Sequence, residues 1–475
     1  MPQDKPNHPS RREWLRAGAG ALAAGPLVTR ARGSSRPNLI FLLTDDQRWD
    51  TLGCMGNRII RTPNVDELGR AGVVFTNHFV TTSICMTSRA SFFTGLYLRT
   101  HKINRFDTPF SEEQYRAIYP VVLREAGYRT GFIGKWGVGK ELPRDRFDYF
   151  AGFAGQGHYF PKRPDESVHL TEVMGDQVVE FLQGCRPGQP FCLSVSFKAP
   201  HVQDQDPRQF LPSRATEGLY DGVEIPVPKT ADPKYIEMLP IEVQRSEGRR
   251  RWAVRFSTPE LYQTSVKNYY RLITEVDTVV GRLREELGQM KADDDTVILF
   301  SGDNGFYLGE HGLAGKWFMH EESIRTPLVV YDPRLPKEQR GKRRAETVLN
   351  IDLAPTLLGL AGVRGPHMQG RDLTPLVRGE QPEWRTEWFY EHLFEHAWIP
   401  RTEGVRTEAW KYTRYLDTKP VFEELFDLGA DRFEERNLAR EADYRERLEE
   451  MRERRRAWIS ALEAWRPEKP WRDPA

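Results

Sequence analysis

Neither sign of charge prevails in this chain: 68 acidic residues stand against 69 Lys and Arg, a formal net charge of +1 over 475 residues. A general field for holding nucleic acid or an anionic membrane is thereby excluded, so anion recognition has to come from a local site. Long apolar runs are lacking too. The uncharged stretch Ala17 to Val28 is shorter than the ~20 residues a bilayer requires, and no later segment has the apolar length of a membrane helix. No repeat of solenoid length is present, which excludes a stacked array. Cysteine is scarce, with four residues: Cys54, Cys85, Cys185 and Cys192. Cys185 and Cys192 flank the turn-rich C-R-P-G-Q-P-F-C and either close a small disulfide or stay free at a helix end and a strand start.

What is present is an apolar fraction of 39%, enough for a sizeable core. The N-terminus reads as an address: S-R-R-E-W-L-R from Ser10 to Arg16, followed by the short apolar run, matches a twin-arginine export signal over residues 1–33. The mature protein is therefore expected in the periplasm or outside the cell. Further on, apolar runs of strand length alternate with helical patterns. Strands are expected at Asn38 to Thr44, Val73 to Val80, Tyr128 to Ile133, Phe191 to Phe197, Thr296 to Phe300 and Pro327 to Tyr331. Helices are expected at Asn64 to Ala71, Ser88 to Tyr97, Tyr119 to Gly127, Glu172 to Leu182 and Leu261 to Leu287. This alternation implies an α/β fold with a mainly parallel sheet covered on both faces, here assigned to residues 36–380. Residues 202–256, rich in Pro, Arg and Asp, read as an extended surface insertion.

The texture changes near Gln381. Trp388 to Tyr390, Gly404 to Tyr412 and Glu424 to Phe426 read as short aromatic strands, and Tyr444 to Leu462 as a charged closing helix. Residues 381–475 are therefore expected to form a small antiparallel domain with a terminal helix. The run R-E-R-R-R from Arg452 to Arg456 carries interleaved Glu and reads as a solvated helix face.

Reactive residues gather at strand ends, where open α/β sheets place their sites. Asp45 and Asp46 follow the first buried strand, and Asp303 and Asn304 follow T-V-I-L-F. Either pair alone could cap a turn. Together they make an oxygen-rich set suited to a hard cation such as Ca²⁺, which would relieve the repulsion among the acids. Cys85 lies after a strand and before a helix, where backbone donors favour an anion, and Arg89 follows one helical turn later. A nucleophile beside a fixed guanidinium suits an anionic ester. On spacing alone a small core cysteine is the equal alternative.

The segment S-I-C-M-T-S-R-A-S-F-F-T-G-L, Ser83 to Leu96, resembles the signature of type I sulfatases, C-x-P/A-S-R followed by Thr-Gly. The resemblance runs from P-N-L-I-F-L-L-T-D-D to E-L-F-D-L, and includes G-K-W around Lys135, K-A-P-H ending at His201, and D-N-G-F-Y-L-G-E-H-G-L-A-G-K from Asp303 to Lys316. It implies an alkaline-phosphatase-like α/β fold with a small C-terminal domain. It also implies a formylglycine made from Cys85 by a maturation enzyme, and one calcium ion held by Asp45, Asp46, Asp303 and Asn304, with the modified Cys85 completing the site. Arg89 would stabilise the formylglycine hydrate. Lys135, His201 and Lys316 would hold sulfate oxygens, the last two also placed to protonate the departing alcohol. His311 is assigned only to ordering its loop.

Two positions depart from the family pattern. Thr87 replaces the usual Pro or Ala of the modification motif, and Gly137 stands where a histidine normally helps release sulfate. The expected function is hydrolysis of sulfate monoesters on a small molecule or glycan. A phosphoester or phosphonate hydrolase, and a non-catalytic binder of sulfated glycan, stay open beside it. His158, in G-Q-G-H-Y-F, is a candidate to replace the missing histidine or to contact substrate. His396, with Trp398 in E-H-A-W-I-P, is a candidate to contact a sugar ring.

Overall fold

The computed structural model describes residues 36–161 and 168–474. The expected export signal lies outside the described residues. Six strands lead the fold: β1 (Asn38–Asp45), β2 (Val73–Phe79), β3 (Arg129–Lys135), β4 (Tyr149–Phe153), β5 (Phe191–Pro200) and β6 (Thr296–Gly302). A short ribbon follows, β7 (Tyr307–Leu308) and β8 (Ala314–Gly315), then β9 (Arg325–Tyr331), β10 (Lys342–Arg344) and β11 (Val348–Leu349). Among the described residues, nine of these strands form one sheet in the order β10-β2-β9-β6-β1-β5-β3-β4, with β11 also paired to β2. All pairings are parallel except those of β9, which runs against both β2 and β6.

The continuous hydrophobicity of β1 has its reason in two-sided burial. Ile40 and Leu42 enter one core with Phe181 and Val276 from helices Leu170–Gln183 and Pro259–Gln289. Leu39, Phe41 and Leu43 enter the other, with Phe92 of helix Cys85–Thr94 and Leu357 of helix Leu353–Leu360. The same alternation decides the cysteines. Cys185 packs against the first core while Cys192 lies in the second, so the sheet separates them and both are free thiols. No disulfide joins them.

The C-terminal region forms a four-stranded antiparallel meander, β12 (Glu387–His392), β13 (Thr402–Thr407), β14 (Trp410–Tyr415) and β15 (Glu423–Asp427), closed by helix Arg445–Ala464. The expected strand Gly404 to Tyr412 is in fact two, because a turn after Thr407 reverses the chain and pairs Arg406 with Lys411. This sheet shares a core with the larger one: Trp388, Phe389 and Trp458 pack with Phe79, Tyr97 and Leu349. The described residues from Pro37 onward form one compact unit.

The expected extended insertion is also corrected. Residues 202–256 carry helices Pro233–Glu237, Ile241–Gln244 and Glu247–Arg255, and bury Phe210, Tyr220, Ile236 and Val243. Its apolar residues are sparse but evenly placed, so it packs as a layer. Among the described residues no helix is long and apolar enough to cross a membrane.

Candidate active site

Strand register builds the site. Thr44 of β1 pairs with Gly302 of β6, and Asp45 pairs with Pro200 of β5. Residues just past these three strands therefore meet at one edge: Asp45 and Asp46, Asp303 and Asn304, and His201. Beyond β5, strand β3 ends on Lys135. Helix Cys85–Thr94 begins at this edge, with Cys85 as its first residue and Ile84 as a cap that provides no side-chain acceptor. The first amides of a helix lack intrahelical acceptors, which makes such a start favourable for an anion. Lys316 directly follows β8.

All these side chains are buried. Cys85 Sγ lies 3.3 Å from Asp45 Oδ1 and 3.1 Å from Lys316 Nζ. Lys316 also donates to Asp46, and Lys135 donates to Asp45 and, at 2.6 Å, to Gln156. Arg89 Nε donates to Asp303 Oδ2 at 2.9 Å, while its Nη1 reaches the Lys135 carbonyl at 2.7 Å and the Ser196 hydroxyl. Asn304 donates to Asp46 Oδ1 at 2.6 Å, and the Asp46 amide donates to Asp303 Oδ1 at 3.0 Å. Asp46 adopts a left-handed φ of 66°, a conformation Asp tolerates better than most residues and one that concentrates at functional sites.

The electrostatics follow from burial and proximity. Burial would raise the Asp45 carboxyl, yet the charges of Lys135, Arg89 and Lys316 together hold it well below the carboxylate range. Burial pushes Asp303 up to about 6, with Asp45 adding to the rise. Asp46 is likewise raised by burial, against the pull of Lys316. Burial pushes the Cys85 thiol up to about 12, with the Asp45 charge reinforcing it, so an unmodified thiol stays protonated at neutral pH. Burial lowers His201 well below its ordinary value, which leaves the ring neutral. Its Nδ1 donates to the Val202 carbonyl at 2.6 Å, so Nε2, 3.6 Å from Asp46 Oδ2, is an acceptor.

A cavity of about 170 Å³ opens onto Cys85, His201 and Lys316. His396 lines it, together with residues the sequence did not single out, among them Gln156, Asp204, Glu247 and Arg251. Trp398 does not line it; it is exposed, with the Arg250 guanidinium 5.1 Å from its ring. His158 is exposed and lies outside the lining residues, whereas Gln156 two positions earlier reaches in. His311 is buried and stacked on His320, with ring centroids 4.2 Å apart, in keeping with a loop-ordering residue. No periodicity marks Gln156, Asp204, Glu247 or Arg251, since each is brought in by a loop or by the insertion.

With this geometry in hand, comparison with known proteins is decisive. Residues 37–363 match the sulfatase family. The chain belongs to that family. Residues 309–460 also match the family described as N-sulphoglucosamine sulphohydrolase, C-terminal. The sulfatase is 28% identical to an N-acetylglucosamine-6-O-sulfatase of Bacteroides thetaiotaomicron, covering 88% of this chain and 85% of the relative. It is 26% identical to an arylsulfatase of Clostridium perfringens, covering 88% and 93%. Among solved structures it resembles a protein in complex with its substrate D-glucosamine-2-N,6-O-disulfate, at 25% identity and a TM-score of 0.78, covering 91% and 99%. The fold is shared with a phosphonate monoester hydrolase of Agrobacterium radiobacter, at 22% identity and a TM-score of 0.71, covering 90% and 96%. The enzyme is a sulfuric ester hydrolase.

Proposed function

We propose that the enzyme hydrolyses a sulfate monoester on a carbohydrate, using a formylglycine made from Cys85 and one calcium ion held by Asp45, Asp46, Asp303 and Asn304. The observation that carries this reading is the position of Cys85 at a helix N-terminus, 3.1 Å from the Lys316 ammonium and 3.3 Å from an Asp45 oxygen. A thiol pushed up to about 12 is a poor nucleophile at neutral pH, which favours chemistry by a modified side chain. The donor set fits a hard cation: three buried carboxylates crowd together, and among the described residues the buried Asn304 Oδ1 accepts no hydrogen bond. Asp45, Asp46 and Asp303 balance Arg89, Lys135 and Lys316 in charge, so a divalent cation would turn a neutral site into an anion receptor. Once in place, the two groups supply Lewis-acid charge and an oxygen nucleophile.

The chain's own residues divide the remaining work. Arg89, fixed by Asp303, the Lys135 carbonyl and Ser196, holds the oxygens at position 85. Lys135 and Lys316 donate to sulfate oxygens. His201, with Nδ1 committed to Val202, presents Nε2 to the cavity as an acceptor. Lys316, which lines the cavity beside Cys85, is placed to protonate the departing alcohol. The carbohydrate assignment draws support from the glycan-directed relatives and from the mixed lining of the cavity, in which charged side chains stand beside aromatic ones. Export by the twin-arginine route is part of this reading and is tested by fractionation of wild type and an Arg11→Lys, Arg12→Lys variant.

The test of the central reading is the mass of the peptide containing Cys85, followed by a panel of sulfate and phosphate esters. An aldehyde at position 85 with preferential turnover of sulfate esters is expected. An intact thiol in fully active protein, or faster turnover of phosphoesters or phosphonates, overturns it.

A further inference from the structure

We propose that Asp204, Arg251 and Glu247 form a hydroxyl-reading wall that selects a sulfated sugar ring over a sulfated aryl or alkyl group. This rests on the reading of the Cys85 cavity as a carbohydrate sulfatase site and names what sets its substrate preference. All three residues line that cavity. Asp204 lies in the segment after β5, three positions beyond His201, while Glu247 and Arg251 are one turn apart on helix Glu247–Arg255. That helix packs against the Lys316-bearing ribbon: a Cβ added at Gly248 would lie 3.3 Å from Leu313 and 3.5 Å from the Ala314 carbonyl. The wall is thus held in a fixed relation to Lys316.

The side chains are themselves fixed. Arg251 Nε donates to Glu247 Oε1 at 2.8 Å, Arg251 Nη1 lies 3.2 Å from Asp204 Oδ1, and the guanidinium sits 5.2 Å from the centre of the Trp317 ring. Arg255 donates to the same Asp204 oxygen at 2.8 Å. Two carboxylates against two guanidiniums leave the wall without net charge, so it offers no particular attraction to a second sulfate or to a cationic group. Hydrogen-bonding capacity does remain. Among the described residues, Glu247 Oε2 and Asp204 Oδ2 accept no hydrogen bond. A neutral array with acceptors beside guanidinium donors matches neighbouring sugar hydroxyls, each of which both donates and accepts. An aryl ring has no such groups, and would leave these polar atoms desolvated and unpaired. The same cavity carries an apolar surface from Phe106 and Phe394, packed edge to face at 5.6 Å, suited to the C–H face of a pyranose.

The test compares kcat/KM for N-acetylglucosamine 6-sulfate and for 4-nitrophenyl sulfate in wild type, Glu247→Gln and Arg251→Met. A fall of roughly tenfold or more in the sugar-to-aryl ratio is expected for both variants, the scale at which a site built for hydroxyls loses discrimination. An unchanged ratio overturns the proposal, and so does a wild-type preference for choline sulfate over every sugar sulfate tried. Calorimetric binding of N-acetylglucosamine 6-sulfate to Cys85→Ala, with and without Glu247→Gln, separates this from the activity itself. If wild type turns over no sulfate ester, the functional reading fails. Weaker sugar binding on Glu247→Gln still upholds the wall, and equal binding rejects it.

Discussion

Gly137 and Arg89 compete for one space: a Cβ added at Gly137 would lie 2.5 Å from Arg89 Cδ and 3.1 Å from its Nε. Gly137 also has a φ of 77°, in the left-handed region where side chains are strained. As the chain is packed here, a side chain at position 137 would press on the stem of Arg89, whose guanidinium touches Asp303. Gly137→Ala is expected to cost ~1–2 kcal/mol from backbone conformation alone, and to lower turnover roughly tenfold or more by displacing Arg89. Gly137→His should not raise turnover. Steady-state kinetics with thermal melts checks both, and a faster Gly137→His enzyme refutes the account.

Metal removal is expected to abolish turnover and lower the melting temperature, because an ion bound only by the folded chain stabilises it by mass action. At a calcium concentration of ~100 Kd the bound form should gain about 2.7 kcal/mol. Asn304→Ala and Asp303→Ala should both weaken calcium binding by calorimetry while leaving the far-ultraviolet circular dichroism intact. Undiminished activity after verified removal of the ion would exclude the assignment.

The histidines 158 and 396 should behave differently. His396 lines the cavity with Cys85, so His396→Ala is expected to impair a glycan sulfate more than a small aryl sulfate. His158 is exposed and outside the lining, so His158→Ala should leave the steady-state rate as in wild type. Accumulation of a sulfated peptide at position 85 in His158→Ala would return that residue to the release step.

Glu322 supplies a pH-dependent prediction away from the reacting groups. Burial pushes its carboxyl up from 4.5 to about 8, with the charges of Glu310 and Glu434 adding to the effect, and among the described residues its Oε2 has no hydrogen-bond partner. Between these two values the unfolded chain has released a proton that the folded chain retains, so this group lowers stability as pH rises through that window. Glu322→Gln should therefore melt several degrees higher than wild type near pH 8, with the two curves converging towards pH 4.5. Parallel melting curves across the range would show that the residue does not titrate as described.

The sequence by itself marked most elements of the larger sheet and the polar residues that meet at its edge. Continuous apolar runs mark strands buried on both faces, and acids, amide and cations lie just past them, because a parallel sheet exposes only its strand ends to ligand. Asp45, Asp46, Asp303 and Asn304 were legible on that ground, and Cys85, Arg89, Lys135, His201 and Lys316 through the motifs around them. Tertiary structure alone decided which of these meet and what surrounds them. Strand register brings Asp45 beside Asp303, although they are far apart in the chain. The sheet also places Cys185 and Cys192 on opposite faces, which spacing along the chain does not encode. The packed insertion carries Glu247 and Arg251 to the cavity, and local sequence gave no sign of it because their positions depend on where helix Glu247–Arg255 docks. At Gly137 the nearest neighbour is Arg89, on another element, and only three-dimensional proximity shows that the two lie side by side.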